Sequence, residues 1–143
     1  MKKQSLLLTI VLSLLSTFTI AQEVAKTIIV EHFTNTRCGI CANRNPGFYN
    51  NLDNQDGVLH LAIHPSSPYP NCVLNNVNPA ENDARTNYYG IYGSTPKLVI
   101  QGEALSPAAN YSDAAIFDPY QNQTTPVSIQ IYQSKVGDEL AAS

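Results

Sequence analysis

The sequence has no tryptophan, a single methionine and few charged residues, which make up 13% of its 143 residues. Its net charge is −3, and it contains no cluster of Lys and Arg of the kind that binds nucleic acid. It has little room for a second sizeable domain, and it shows no internal repeat. We therefore expect one main domain and no nucleic-acid partner.

Residues 1–21 have the pattern of a secretory signal peptide. Lys2 and Lys3 form a basic start, residues 6–20 are apolar with scattered Ser and Thr, and the small residue Ala21 marks the expected cleavage site. The apolar stretch is short for a membrane span, although a retained anchor is the alternative. Without this segment the chain has six Lys and Arg against eleven Asp and Glu, a net charge of −5. We predict export to the periplasm, the outer membrane or the extracellular space.

Two of the three cysteines form the motif Cys38-Gly39-Ile40-Cys41, directly after an apolar, β-branched run at residues 27–33. A buried strand that leads into a Cys-x-x-Cys at the start of a helix is typical of redox proteins. The helix N-terminus and the adjacent Arg37 favour the thiolate of Cys38, which we expect to be the exposed nucleophile. Cys41 is close enough to resolve a mixed disulfide. The motif predicts a redox dithiol.

Two other interpretations of the cysteine pair remain open. It can be an inert structural disulfide, since exported proteins keep their disulfides. It can also be half of a zinc site, which needs two further ligands from residues such as His32, His64 or Cys72. The redox interpretation needs neither a metal nor a cofactor, and it leaves Cys72 unpaired.

Apolar runs predict strands at residues 27–33, 58–64 and 97–101. A helix is expected from about Cys41, with Pro46 interrupting or kinking it, and a second helix from Pro79 to Gly90. Strand, helix and strand in this order imply a parallel pair. The pattern predicts an α/β fold.

The C-terminal third carries weaker signals. Residues 110–123 read as a helix, and the alternating pattern of residues 127–132 reads as an additional, half-exposed β-strand. We expect residues 22–125 to form the main domain. Residues 126–143 should begin a further β-rich segment that is truncated in this sequence.

The order of these elements over residues 27–123 resembles the thioredoxin fold, which implies a central mixed sheet flanked by helices. Two motifs carry the resemblance, Cys38 to Cys41 and the stretch Ser94-Thr95-Pro96 before a strand. In thioredoxin-like proteins the bond before this proline is cis and lies against the redox cysteines, and the residue before it faces the bound peptide. The resemblance therefore implies a cis Thr95–Pro96 bond near Cys38, with both residues in substrate binding.

A finer pattern resembles an exported thioredoxin-like branch, the family named after a twenty-eight-kilodalton outer membrane protein. The matching residues are Glu31-His32-Phe33-Thr34, His64 and Tyr88-Tyr89-Gly90. This resemblance implies association with the outer membrane and a β-rich extension after the domain.

The chain departs from thioredoxins in lacking the tryptophan before the first cysteine. At the position of their buried carboxylate it has His32, which would relay protons for Cys41 or, alternatively, be a hydrogen-bonded core histidine. Because strand residues alternate faces, Glu31 cannot point to the same side as His32. The resemblance implies an exported thiol–disulfide oxidoreductase that acts on protein thiols or disulfides. The alternative is a non-catalytic, surface-associated binding protein with a structural disulfide.

Overall fold

The computed structural model describes residues 23–129, 132–136 and 139–142. The chain divides into two units, Lys26–Gln123 and a smaller one formed by the residues on either side of it. The predicted signal peptide, residues 1–21, lies outside the described residues. None of the helices in the described part of the chain is long and apolar enough to cross a membrane.

The described elements follow the predicted alternation of strands and helices in the first hundred residues. In chain order they are β1 (Val24–Ala25), β2 (Ile28–Phe33), α1 (Gly39–Leu52), β3 (Val58–Ile63), α2 (Pro79–Tyr88), β4 (Lys97–Ile100), β5 (Glu103–Ala104), β6 (Thr124–Thr125), β7 (Gln133–Val136) and β8 (Glu139–Ala142). Short 3₁₀ turns lie at Asn75–Val77, Ala114–Ile116 and Asp118–Tyr120.

The larger unit contains a four-stranded mixed sheet with the order β3-β2-β4-β5. β2 and β3 are parallel, whereas β4 is antiparallel to both β2 and β5. The turn between β4 and β5 consists of Gln101 and Gly102, with φ angles of 51° and 86°. A two-residue hairpin turn of this kind needs positive φ at both positions, which explains the glycine. The predicted α/β class with a mixed sheet and a parallel strand pair is confirmed.

The core lies on both faces of the sheet, because alternate residues of β2 point to opposite sides. On the α1 side, Ile28 and Val30 belong to a buried cluster with Phe48 of α1. On the α2 side, Phe33 packs in a separate cluster that includes Val99. The central strand thus contributes buried residues to the core on both faces.

Helix α1 begins at Gly39 and continues through Pro46 without a break, so the predicted interruption is wrong. Proline removes the amide that would bond to the carbonyl of Ala42 one turn earlier. Both Ala42 and Pro46 are exposed, so water can satisfy this carbonyl. The missing hydrogen bond therefore falls on the solvent side of the helix, where its cost is lowest.

The predicted helix at residues 110–123 is also wrong, since only two single 3₁₀ turns form there. The Asp113 side chain caps the first turn by accepting from the amide of Ala115. Pro119 lies in the second turn, and Asn122 has a positive φ of 59°, which ends any helical path. Local side-chain bonds and these breakers outweigh the helix-forming alanines.

The C-terminal strand prediction is wrong in position. Residues 127–129 and Tyr132 are not in a strand, whereas β7 and β8 form an antiparallel pair after them. β6 pairs with β1 in the same small unit. The residues described at 127–129 and 132 therefore do not form the predicted strand, and the next described strand is β7.

Candidate functional site

Cys38 and Cys41 form a disulfide at the first turn of α1, with their Cα atoms 5.2 Å apart. Cys38 is the N-cap residue, and its extended backbone lets its sulfur accept a hydrogen bond of 3.0 Å from the amide of Cys41. A free amide and the positive end of the helix dipole thus point at the Cys38 sulfur. In the reduced protein this arrangement would stabilise negative charge on that sulfur.

The Thr95–Pro96 peptide bond is cis, as the resemblance implied. The carbonyl oxygen of Thr95 lies 3.3 Å from the Cys38 Sγ. The sheet explains this contact, because Phe33 at the end of β2 pairs with Lys97 at the start of β4. The segment before β4 and the loop after β2 therefore meet at one edge of the sheet.

The expectation that Cys38 is exposed is wrong. Cys38 is 4% exposed and Cys41 is 2% exposed. The contact with the Thr95 carbonyl covers the Cys38 sulfur, whereas Ile40 between the two cysteines is 58% exposed. Another sulfur can therefore reach this disulfide only after the surrounding segments move.

Residues 65–78, here named the cover loop, are tied to the short loop that precedes Cys38. The side-chain amide of Asn35 donates to the carbonyls of Pro65 at 2.9 Å and Tyr69 at 3.1 Å. The Arg37 Nε donates to the carbonyl of Asn71 at 3.3 Å. The side chain expected to help activate Cys38 thus also holds the cover loop.

Cys72 of the cover loop is a free, fully buried thiol. The Thr36 hydroxyl donates to its sulfur at 3.4 Å. Burial acts to raise the pKa of Cys72, but hydrogen bonds from Thr36 and from the backbone of Asn75 and Leu74 outweigh it and lower this pKa. The sequence indicated only that Cys72 would be left over.

His32 is fully buried on the α1 side of the sheet, where its ring lies 4.8 Å from that of Phe48. Neither ring nitrogen has a hydrogen-bond partner among the described residues, although the Asn45 side chain lies beside the ring. Burial, reinforced by the neighbouring His60, lowers the pKa of His32 to about 3. The core position was anticipated, but the hydrogen bond expected of a core histidine is missing.

The three histidines of the chain lie close together. The sequence analysis did not identify His60 as a member of this group. The His60 ring lies 5.6 Å from the His32 ring, and burial lowers the pKa of both His60 and His64. The parallel register, with Val30 opposite His60, is the signal that could have located it. In the described part of the chain, no three His, Cys, Asp or Glu side chains are arranged to hold a metal ion.

Glu31 lies on the α2 side and forms a bidentate ion pair with Arg85, with N–O distances of 2.6 and 2.5 Å. The hydroxyl of Tyr89 donates to the same carboxylate at 2.9 Å. Hydrogen bonding from Arg85 lowers the pKa of Glu31 despite burial. Glu31 and His32 therefore point to opposite faces, as strand alternation required, so Glu31 is directed away from the face that carries Cys41.

No family model, curated protein or solved structure matches this chain. The mixed α/β architecture rests on the chain's own structure, and the thioredoxin resemblance rests on the residues named above.

Proposed function

We propose that this chain is an exported thiol–disulfide oxidoreductase of thioredoxin-like fold, which acts on protein thiols or disulfides through Cys38 and Cys41. The observation that carries the proposal is the contact of 3.3 Å between the Cys38 sulfur and the Thr95 carbonyl, next to the cis Thr95–Pro96 bond. A disulfide at a helix N-terminus and a proline turn from a distant segment meet there. The signal-peptide pattern of residues 1–21 supports export.

The reaction needs only the two cysteines and a client disulfide. In the reduced protein, the Cys38 thiolate attacks one client sulfur, forms a mixed disulfide and releases the other client sulfur as a thiolate. The Cys41 thiolate then attacks the Cys38 sulfur, which closes the disulfide and releases the second client thiolate. The client gains two electrons, and the reverse sequence oxidises a client dithiol.

Thr95, Pro96 and His32 have supporting roles in this proposal. The backbone of Thr95 and Pro96 borders the reacting sulfur and would align a client segment beside it. His32 packs under α1 against Phe48, and with a pKa lowered to about 3 it is a poor acceptor for the proton that Cys41 gives up, so it would support the helix rather than relay a proton. The Thr95 segment, whose carbonyl covers the Cys38 sulfur, would have to shift for the client to enter.

The test is reduction of insulin disulfides by the purified protein with dithiothreitol as the electron source. We expect the protein to accelerate reduction and Cys38→Ser to abolish the acceleration. Cys72→Ser is the matched control, because it removes the other cysteine and should retain the rate. A Cys41→Ser variant should accumulate a mixed disulfide through Cys38. Equal, background rates for the wild type and Cys38→Ser would remove the enzymatic proposal.

The burial of the pair favours a second candidate, a surface-associated binding protein on the same scaffold with a structural disulfide. Cys38 and Cys41 are almost completely buried, as is expected of a disulfide that only stabilises the fold. Structural disulfides have reduction potentials below about −300 mV, whereas exchange-active ones lie higher. Equilibration with glutathione or dithiothreitol buffers, read by thiol alkylation, separates the two candidates.

A further inference from the structure

Strand β3 is the edge of the four-stranded sheet, and its outer side has no partner strand among the described residues. Leu59 and Leu61 of this strand are 50% and 47% exposed. Both residues point to the α2 side of the sheet, opposite to His60, because strand residues alternate. The edge therefore presents unpaired backbone groups together with a pair of apolar side chains.

Between Val58 and Ile63 this edge lacks the sequence features that often protect an open strand. Exposed edges usually carry a charged residue, a proline or a bulge, or they are very short. The six residues of β3 include no Asp, Glu, Lys, Arg or Pro. Their register with β2 is one-to-one from Val58 to Ile63, so no bulge is present. An edge of this kind is suited to pairing with another strand.

The backbone bonds to β2 show which groups of β3 face outward. The carbonyls of Gly57 and Ile63 accept from the amides of Ile28 and Thr34 on the β2 side. Because successive residues of a strand direct their amide and carbonyl groups to alternate sides, the odd-numbered residues of β3 bond to β2. The groups of Val58, His60 and Ala62 therefore point to the open edge.

The sequence of β3 is nearly symmetric about His60, with a leucine on each side and the small aliphatic residues Val58 and Ala62 beyond. A two-fold interface brings each surface patch against a copy of itself, and in β3 the near-symmetry places leucine against leucine when the axis lies at His60. We propose that β3 pairs antiparallel with β3 of a second copy of this chain, with the two-fold axis at His60. The outward groups of His60 then bond to those of the second copy's His60, and those of Val58 bond to Ala62.

In this register Leu59 lies opposite Leu61 of the second copy. They form a non-hydrogen-bonded pair, the type in which Cα atoms approach to about 4.5 Å and side chains are closest. Both half-exposed leucines would lose contact with water on both copies. No charged side chain of β3 is brought against its own copy, so the pairing carries no like-charge cost along the strand.

A cavity of about 300 Å³ lies beside the same edge, between β3 and α2. It is lined by Glu31, Leu61, Ala62, Ile63, Glu81, Asn82 and Arg85. Stable interfaces bury about 800 Å² on each partner, which is more than one short strand pair supplies. Side chains of the second copy that enter this cavity would add to the buried area. We expect a reversible dimer that forms with rising protein concentration.

The first test is sedimentation velocity of the purified protein over a dilution series. The weight-average mass should rise from that of one chain toward twice that value, and Leu61→Lys should hold it at one chain. Val77→Lys is the matched control, because Val77 is 81% exposed and lies outside β3. A monomer at every concentration, or a dimer that survives Leu61→Lys with its circular dichroism spectrum unchanged, would overturn the proposal.

A second measurement tests the register and does not depend on how Leu61→Lys folds. Leu59→Cys and Leu61→Cys are made separately in a Cys72→Ser background and then mixed under oxidising conditions. Opposed positions lie within disulfide reach, whereas positions of like number are diagonal, about 7–8 Å apart, and beyond it. Covalent dimers should form in the mixture and not from either variant alone. Absence of cross-linking in the mixture, or equal cross-linking in all three samples, contradicts pairing about His60.

Discussion

Glu31 and His32 are adjacent on β2 and are both buried, yet their surroundings on the two faces of the sheet differ. On the α2 face, Glu31 has Arg85 and Tyr89 as partners and keeps its charge. On the α1 face, neither nitrogen of His32 has a hydrogen-bond partner in the described part of the chain, and burial keeps the imidazole neutral. A buried carboxylate is tolerated where a partner neutralises its charge. An unpaired imidazole is tolerated because it can release its proton and become neutral.

The two faces of the sheet also differ in how completely their apolar side chains are buried. Leu98 of β4 is fully buried on the α1 face, whereas Leu61 of β3 remains about half exposed on the α2 face. Phe33 and Val99 are fully buried on the α2 face as well, so that face is packed at its centre and open along β3. The following predictions test this difference, from the largest effect to the smallest.

Leu98→Ala should destabilise the protein by about 2–5 kcal/mol, since it leaves a cavity in a closed core. Leu61→Ala should cost less than about 1 kcal/mol in dilute solution, because water already contacts much of this side chain. Urea unfolding, monitored by circular dichroism at low protein concentration, gives both values. Similar losses for the two variants would mean that the two faces are equally closed.

Arg85→Met should destabilise the protein by about 2 kcal/mol at neutral pH, because Glu31 keeps a buried charge without its partner. Breaking a fully buried pair costs about 3–5 kcal/mol, and the Arg85 side chain is 44% exposed, which reduces the effect. The double variant with Glu31→Gln should recover most of the loss. Urea unfolding of the single and double variants measures it.

The same ion pair predicts a pH dependence. The folded-state pKa of Glu31 is lowered, so its stabilisation is complete above its unfolded pKa of about 4.3 and is lost as the pH falls through the folded value. The cost of Arg85→Met should therefore shrink in acid. A cost that stays constant between neutral pH and about pH 3 would show that the pair contributes little.

His32→Leu should reduce the slope of the unfolding free energy against pH in acid by up to about 1.4 kcal/mol per pH unit. The folded protein keeps His32 neutral down to about pH 3, whereas the unfolded chain binds a proton below about pH 6.5. Wild-type stability therefore falls as the pH drops through this window. Leucine does not bind a proton, so His32→Leu removes this contribution to the pH dependence. Unfolding free energies at several pH values measure the slope.

His60→Leu is the matched control for this experiment. His60 is only partly buried, and its pKa is lowered by burial in the same direction. Its replacement should flatten the acid slope less than that of His32. An equal change for both would mean that the histidines titrate as a group and that the depth of burial does not distinguish them.

Local sequence was sufficient for the elements that position the site. The β-branched run of β2, the Pro79 start of α2 and the glycine in the β4–β5 turn each specify their conformation within a few residues. The cis Thr95–Pro96 bond and its contact with Cys38 came from the resemblance, because no local rule joins two segments 57 residues apart.

Features that depend on distant neighbours were missed. The Glu31–Arg85 pair joins residues 54 apart, and neither flanking sequence indicates a partner for the other. The burial of Cys38 comes from the Thr95 segment and not from its own helix. The failed helix at residues 110–123 shows the opposite error, since Pro119 and the Asp113 cap were local signals that received too little weight against the alanines.

The buried Cys72 thiol is a built-in probe of local opening in the cover loop. While Cys38 and Cys41 are joined, Cys72 is the only thiol of the chain, and it lies where no reagent can enter without lifting the segment that carries it. The rate at which a small disulfide reagent labels it, divided by the rate for an unstructured peptide, gives the fraction of time this segment spends open. Labelling kinetics therefore report how often the cover loop opens around Cys72, without any engineered probe.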